Sequence, residues 1–154
     1  MEIADNEVPV YRQVFLKDLE AIAALEAEIF PEPYLYFMLR QLFDMHGNQW
    51  LVAELGGELI GYALTMVRDA KALLFTLAVA TDMQHCGSGR ALLERAVQRC
   101  IAAGAVDVEL TVDPGNRLAL NMFEQAGFIC VGFDSSYFGP GCPRRLMRYR
   151  SQYL

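Results

Sequence analysis

The sequence predicts a single α/β layered domain built on a mixed sheet, and three observations carry that expectation. Its 154 residues are 54% apolar and 11% aromatic, ample for one core and leaving no surplus for a second. The apolar pattern runs strand, helix pair, hairpin, then alternating strand and helix, the order of a sheet with helices layered on it. At the centre a buried strand, Leu74 to Val79, leads through the glycine turn Gln84-His85-Cys86-Gly87-Ser88-Gly89-Arg90 into a helix. The expected domain is the whole of residues 1–154.

In chain order, Val8 to Phe15 alternates as a strand, and Leu16 to Ile29 carries Leu19, Ile22, Ala23 and Ile29 at helical spacing. Phe30-Pro31-Glu32-Pro33 breaks that helix, because two prolines two apart forbid its continuation. Tyr34 to Met45 resumes, with Leu35, Met38, Leu39, Leu42 and Phe43 on one side, and His46-Gly47-Asn48 closes it. Gln49 to Glu54 and Leu59 to Val67 flank Leu55-Gly56-Gly57-Glu58, a hairpin signal, and Ala72 to Val79 is the next strand. Ala91 to Ala103 is helical in period and Gly104 is its stop. Val106 to Val112 is a buried strand, Asp113-Pro114-Gly115-Asn116 a turn, Leu118 to Gln125 a short helix stopped by Gly127, and Phe128 to Phe133 a strand. Gly139-Pro140-Gly141-Cys142-Pro143 is a loop before a last strand around Leu146 to Tyr149.

Composition excludes several function classes. A net charge of -6 argues against general affinity for nucleic acid, which rests on lysine and arginine meeting phosphates. No apolar stretch nears the roughly 18 to 20 residues of a membrane span, and Glu2, Asp5 and Glu7 stand where a signal peptide is basic. A cytoplasmic protein that binds neither nucleic acid nor membrane is expected. Cys86, Cys100, Cys130 and Cys142 are read as reduced thiols, and with His46 and His85 they form no metal-ligand cluster of usable spacing.

The glycine turn is the segment that points to a ligand. Two glycines allow positive φ and turn successive N–H groups inward, while the incoming helix adds its positive end, so the loop suits a phosphate or pyrophosphate. It is no nucleotide-triphosphate loop, because Gly89 is followed by Arg90-Ala91 with neither the lysine nor the hydroxyl such loops need. It is a poor dinucleotide fingerprint, with Leu92 at the third glycine position and Ala80 to Met83 between strand and turn. A cysteine-phosphatase reading fails on spacing, since Arg90 lies four residues beyond Cys86 instead of six.

Gln84-x-x-Gly87-x-Gly89, preceded by Leu77-Ala78-Val79 and followed by Ala91-Leu92-Leu93, resembles motif A of the GCN5-related N-acetyltransferases (GNAT). Leu110-Thr111-Val112, with Asn116, Ala119 and Gly127-Phe128, resembles that family's next strand and helix. With the Phe30-Pro31 entry and the preceding hairpin, the likeness spans nearly the whole chain. It leans towards the protein N-terminal acetyltransferases typified by the ribosomal-protein alanine type.

The resemblance implies a mixed, splayed sheet with acetyl-CoA in the opening. Coenzyme A is then held by Leu77, Ala78, Val79, Gln84, His85, Cys86, Gly87, Ser88, Gly89 and Arg90, with Asn116 and Phe123 from the following helix. The activity implied is transfer of an acetyl group from the thioester to a primary amine, on a small molecule or a protein N-terminus, by direct attack. An α-amine of pKa near 8 is already roughly one-tenth neutral at pH 7 and needs little help from a base. The expected oxyanion donor is the main-chain N–H of Val79.

This chain departs from the family at three positions. The usual acid, a tyrosine seven residues after the matched asparagine, is Phe123, and the usual glutamates are Thr111 and Thr76. Tyr137 and Glu32 are the candidates that remain for catalysis, Tyr137 where the resemblance puts an acceptor-covering tyrosine and Glu32 in the acceptor loop with Tyr34 and Tyr36. Those departures motivate the alternative reading, an acyl-CoA-binding module with little or no turnover, acting as a sensor or complex subunit. The apolar tail with Tyr137, Phe138 and Tyr149 is read as a surface for edge-to-edge pairing in a homodimer.

Overall fold

Leu55-Gly56-Gly57-Glu58 makes the two-residue hairpin its sequence predicts. Gly56 and Gly57 both hold positive φ (58° and 84°), as the tightest hairpin turns require, and Leu55 pairs with Glu58. The computed structural model describes residues 8–84 and 87–151, and places seven strands in one mixed sheet flanked by helices. These are β1 (Val10–Gln13), β2 (Leu51–Leu55), β3 (Glu58–Arg68), β4 (Lys71–Val79), β5 (Asp107–Val112), β6 (Ile129–Asp134) and β7 (Arg144–Arg150). Their hydrogen-bonded order is β1-β2-β3-β4-β5-β7-β6, with β4 parallel to β5 and the β1–β2, β2–β3, β5–β7 and β6–β7 pairs antiparallel. The helices are α1 (Leu19–Ile29), α2 (Tyr36–His46), α3 (Ser88–Ala102) and α4 (Arg117–Gln125).

Contacts divide the chain into two compact units, through both of which β3, β4 and α3 run. The first comprises Met1–Leu64 and Thr76–Ala96. Its core holds Leu19, Ile22 and Leu39 from the helices with Trp50, Val52, Tyr62 and Leu64 from the strands, all fully buried. Strand β1 is shorter than its pattern suggests. After Gln13 the Asp18 carboxylate accepts the Phe15 N–H (2.7 Å) and pairs with Arg12 (2.8 Å), pulling the chain into a 3-10 turn, Leu16–Asp18, ahead of α1. Burial alone would raise the Asp18 carboxyl, but these donors hold it below the usual carboxylate range.

Residues Thr65–Phe75 and Val97–Leu154 form the second unit. Phe128 is buried there with its ring 6.0 Å from Phe123 and 5.7 Å from Tyr149. Ion pairs line the strands on its rim, Glu109 with Lys71 and Arg148, and Asp107 with Arg150. Cys100 and Cys130 are free thiols.

Two boundaries differ from the sequence reading in ways that shape the site. Helix α2 starts at Tyr36, not Tyr34, because Leu35 is extended (φ -83°, ψ 160°) and the Tyr34 N–H is taken by a side chain. Helix α3 starts at Ser88, not Ala91. Only Gly87 (φ +83°) supplies the left-handed turn, and Gly89 lies in the first helical turn.

Candidate active site

The end of β4 is held from two sides within the first unit. The Ala80 N–H donates to the Ile60 carbonyl at 2.7 Å, and the Gln84 amide donates to the Val79 carbonyl at 3.2 Å. Ile60 is the extra residue of a β-bulge, since Glu54 pairs with Leu59 and Ala53 with Gly61. Gly61 permits the closest approach. A Cβ there would lie 2.9 Å from the Ala78 carbonyl oxygen, 2.9 Å from Leu92 Cδ1 and 3.3 Å from Val79 Cγ2. Because main-chain groups alternate sides along a strand, an Ala80 N–H bonded to β3 turns the Val79 N–H and carbonyl away from β3. The β4–β5 ladder runs from Lys71/Asp107 to Leu73/Glu109, and β4 continues past it to Val79.

Beyond Val79 the chain makes a 3-10 turn, Thr81–Met83, and enters α3 through Gly87. The Gly87 carbonyl accepts the Ala91 N–H (3.1 Å), the space where a Cβ would stand is open, and Ser88 is buried. The first N–H groups of an α-helix have no partner within the helix, and α3 is 15 residues long, so Ser88 and Gly89 bring donors and a full helix dipole to this point. The Arg90 Nε donates to Glu94 (2.7 Å). His85 and Cys86 fall outside the described residues.

The loop expected to meet the acceptor lies in the same unit. Glu32 is exposed, as are Leu35, Tyr36 and Phe37 at the start of α2. Beneath the loop is a carboxylate that sequence reasoning missed as a site residue. Glu26 is 1% exposed. Its Oε1 accepts the Tyr34 N–H at 3.0 Å, while its Oε2 accepts the Thr76 hydroxyl at 2.6 Å and the Tyr62 hydroxyl in a short hydrogen bond. Burial, then the Glu26 charge, push the Tyr62 phenol far above its ordinary pKa, so it stays a donor. A carboxylate carried by α1 therefore stands against Thr76 on β4. Its signal was present: Glu26 interrupts the apolar stripe Leu19, Ile22, Ile29, where a charged residue is seldom tolerated without partners.

In the second unit, Asn116 caps α4, its side chain accepting the Ala119 N–H at 3.1 Å. Phe123 is buried against Phe128. Tyr137 is exposed and edge-stacked on Phe138 at 4.8 Å. A groove of about 290 Å³, lined by residues including Arg117, Asn121, Glu124, Cys130 and Arg145, also belongs to this unit and includes none of the predicted site residues.

A glycine turn thus feeds a long helix beside a strand end with outward main-chain groups. The model of the acetyltransferase (GNAT) family matches residues 19–128. The chain belongs to the GNAT acetyltransferase family. Among relatives, an uncharacterised N-acetyltransferase of Methanocaldococcus jannaschii is 32% identical over 85 residues, 55% of this chain and 54% of its own. The ribosomal protein bS18-alanine N-acetyltransferase of Escherichia coli K12 is 33% identical over 94 residues, 60% of this chain and 64% of its own. The chain therefore spans between about half and two thirds of the length of these relatives. Arabidopsis thaliana Naa50, solved in complex with the bisubstrate analogue CoA-Ac-MVNAL, has the same fold, with a TM-score of 0.83 at 17% identity over 93% of this chain and 99% of that one.

No helix among the described residues is long and apolar enough to cross a membrane.

Proposed function

We propose that this chain is an acetyl-CoA-dependent N-acetyltransferase acting on a primary amine, and that residues 1–154 work as one domain. The observation that carries the reading is the pairing of Gly87 (φ +83°) and the α3 N-terminus with the outward main-chain groups of Val79. These groups fit the cofactor: the helix N-terminus suits a pyrophosphate, with Gln84, Gly87, Ser88, Gly89 and Arg90 as the residues to hold it, and the strand edge Leu77-Ala78-Val79 suits an amide-bearing arm. Bound there, acetyl-CoA supplies a thioester carbonyl and a thiol leaving group.

The chain's own share is positioning and polarisation. The Val79 N–H offers a fixed donor to a developing oxyanion, and fixed donors of this kind are worth about 2.7–4 kcal/mol. Tyr137 is our candidate acid for the departing thiolate and Glu32 our candidate to draw the amine to the loop, with Asn116 and Phe123 as further cofactor candidates. An α-amine is the favoured acceptor, because it is neutral often enough near pH 7 to attack without a strong base. The exposed apolar run Leu35-Tyr36-Phe37 suits a peptide end, and the relative named for a ribosomal-protein alanine and the neighbour bound to a CoA-peptide analogue both support a peptide N-terminus. We further read the protein as cytoplasmic, acting without nucleic acid or membrane. A homodimer forms through the tail and β6, the last strand in the sheet order, where Ile129, Val131 and Phe133 are exposed.

Gly89→Glu tests the site by putting a carboxylate into the first turn of α3. Calorimetry should register a loss of coenzyme A affinity of at least tenfold; unchanged affinity removes the pyrophosphate assignment.

A further inference from the structure

We propose that Glu26 is a positioning residue: it ties the acceptor loop to the cofactor strand and thereby sets affinity for the amine. The inference rests on the acceptor and cofactor sites proposed above. A carboxylate as buried as Glu26 is a poor choice for filling space. Its neighbours on α1, Leu19, Ile22 and Leu25, do that with apolar side chains, and transferring an ionised carboxylate out of water is costly unless donors replace the solvent. Glu26 has three such donors, from three different elements. Oε1 holds the loop through the Tyr34 N–H, and Oε2 holds β3 through Tyr62 and β4 through Thr76. Thr76 stands three residues before Val79, and Tyr34 two residues after Glu32. The rigid planar carboxylate therefore fixes the backbone of the acceptor loop relative to the strand whose end carries the proposed oxyanion donor.

The same geometry denies Glu26 the role of general base. It is sealed from solvent, and the neighbouring phenol stays protonated. A leucine removes all three acceptors. A glutamine can still accept the Tyr34 N–H through its oxygen and turn its NH2 to the Tyr62 and Thr76 hydroxyls, which accept as well as donate, but every one of these bonds loses its charge.

The test is Glu26→Gln, read by amide hydrogen exchange of residues 30–37 and by steady-state kinetics. Exchanging charge-assisted hydrogen bonds for neutral ones about half as strong should speed loop exchange about tenfold and raise the amine KM about tenfold. Turnover number and coenzyme A affinity should stay within about twofold. Unchanged loop exchange overturns the inference, as does a change confined to thermal stability or to coenzyme A affinity with the amine KM unmoved. If Glu26→Gln does not fold, Tyr62→Phe keeps the carboxylate and the loop bond and removes one donor. It should shift loop exchange and amine KM in the same direction by a smaller factor, and no shift overturns the inference. If the unaltered protein acetylates no amine, the activity reading fails, and loop exchange alone decides: faster in Glu26→Gln supports the positioning role, unchanged removes it.

Discussion

Gly61→Ala places one methyl group at the tightest point of the site. The new Cβ would stand 2.9 Å from both the Ala78 carbonyl oxygen and Leu92 Cδ1, about 0.5 Å inside ordinary contact. Leu92 can rotate away, but the carbonyl cannot. Its strand end is fixed by the Ala80 N–H on Ile60 and by Gln84 on Val79. Overpacking of this kind costs about 1–3 kcal/mol. Removing a strand glycine returns about 0.5–1 kcal/mol of chain entropy, which against the middle of the overpacking range leaves a net loss of about 1 kcal/mol. For a domain of this size that lowers Tm by about 2–4 °C. Relief of the clash moves the β4 end or the start of α3, so coenzyme A affinity should fall about three- to thirtyfold in calorimetry. Gly57→Ala is the control, because its left-handed φ of 84° penalises alanine while nothing lies within 4 Å of its Cβ. It should lose stability alone. A Gly61→Ala protein with unchanged or raised Tm and undiminished coenzyme A affinity would refute the packing argument.

Asn116→Ala removes the α4 cap and should cost about 0.5–2 kcal/mol in denaturant unfolding without ligand. Asn116→Asp keeps the accepting oxygen, so stability returns, and any loss of coenzyme A affinity that persists in Asn116→Asp isolates the cofactor contact from the cap. Asp18 gives a pH signature. Its carboxyl is depressed in the folded state, so its contribution is present above the unfolded pKa near 3.9 and fades as pH falls through the lower folded value. Unfolding free energy measured from pH 6 to pH 2 should drop more steeply for the unaltered protein than for Asp18→Asn, and parallel curves would contradict the assignment.

Much of this molecule was legible in its sequence because its punctuation is strong. The prolines at 31 and 33, the paired glycines of the β2–β3 turn and the glycine turn before α3 each admit few backbone conformations, and the elements between them follow from period. What escaped was set at long range. The late start of α2 depends on a carboxylate ten residues upstream of Tyr36, and the early start of α3 on Gly89 accepting a helical conformation. Bulging at Ile60 shows only in the register against β2. Glu26 is the instructive case: the anomaly was visible as a charge on an apolar stripe, but its partners Tyr62 and Thr76 lie 36 and 50 residues away. Spacing along the chain carries no trace of such contacts.

The measurement that bears most directly on the central claim is thiol release from acetyl-CoA by the purified protein against a panel of amines, with coenzyme A binding followed in parallel. Release should be stimulated well above background hydrolysis by peptides bearing a free α-amine, more than by lysine side chains at pH 7, and blocked when the peptide terminus is already acetylated. Coenzyme A binding with no amine stimulating release would contradict the claim and leave an acyl-CoA-binding module in its place.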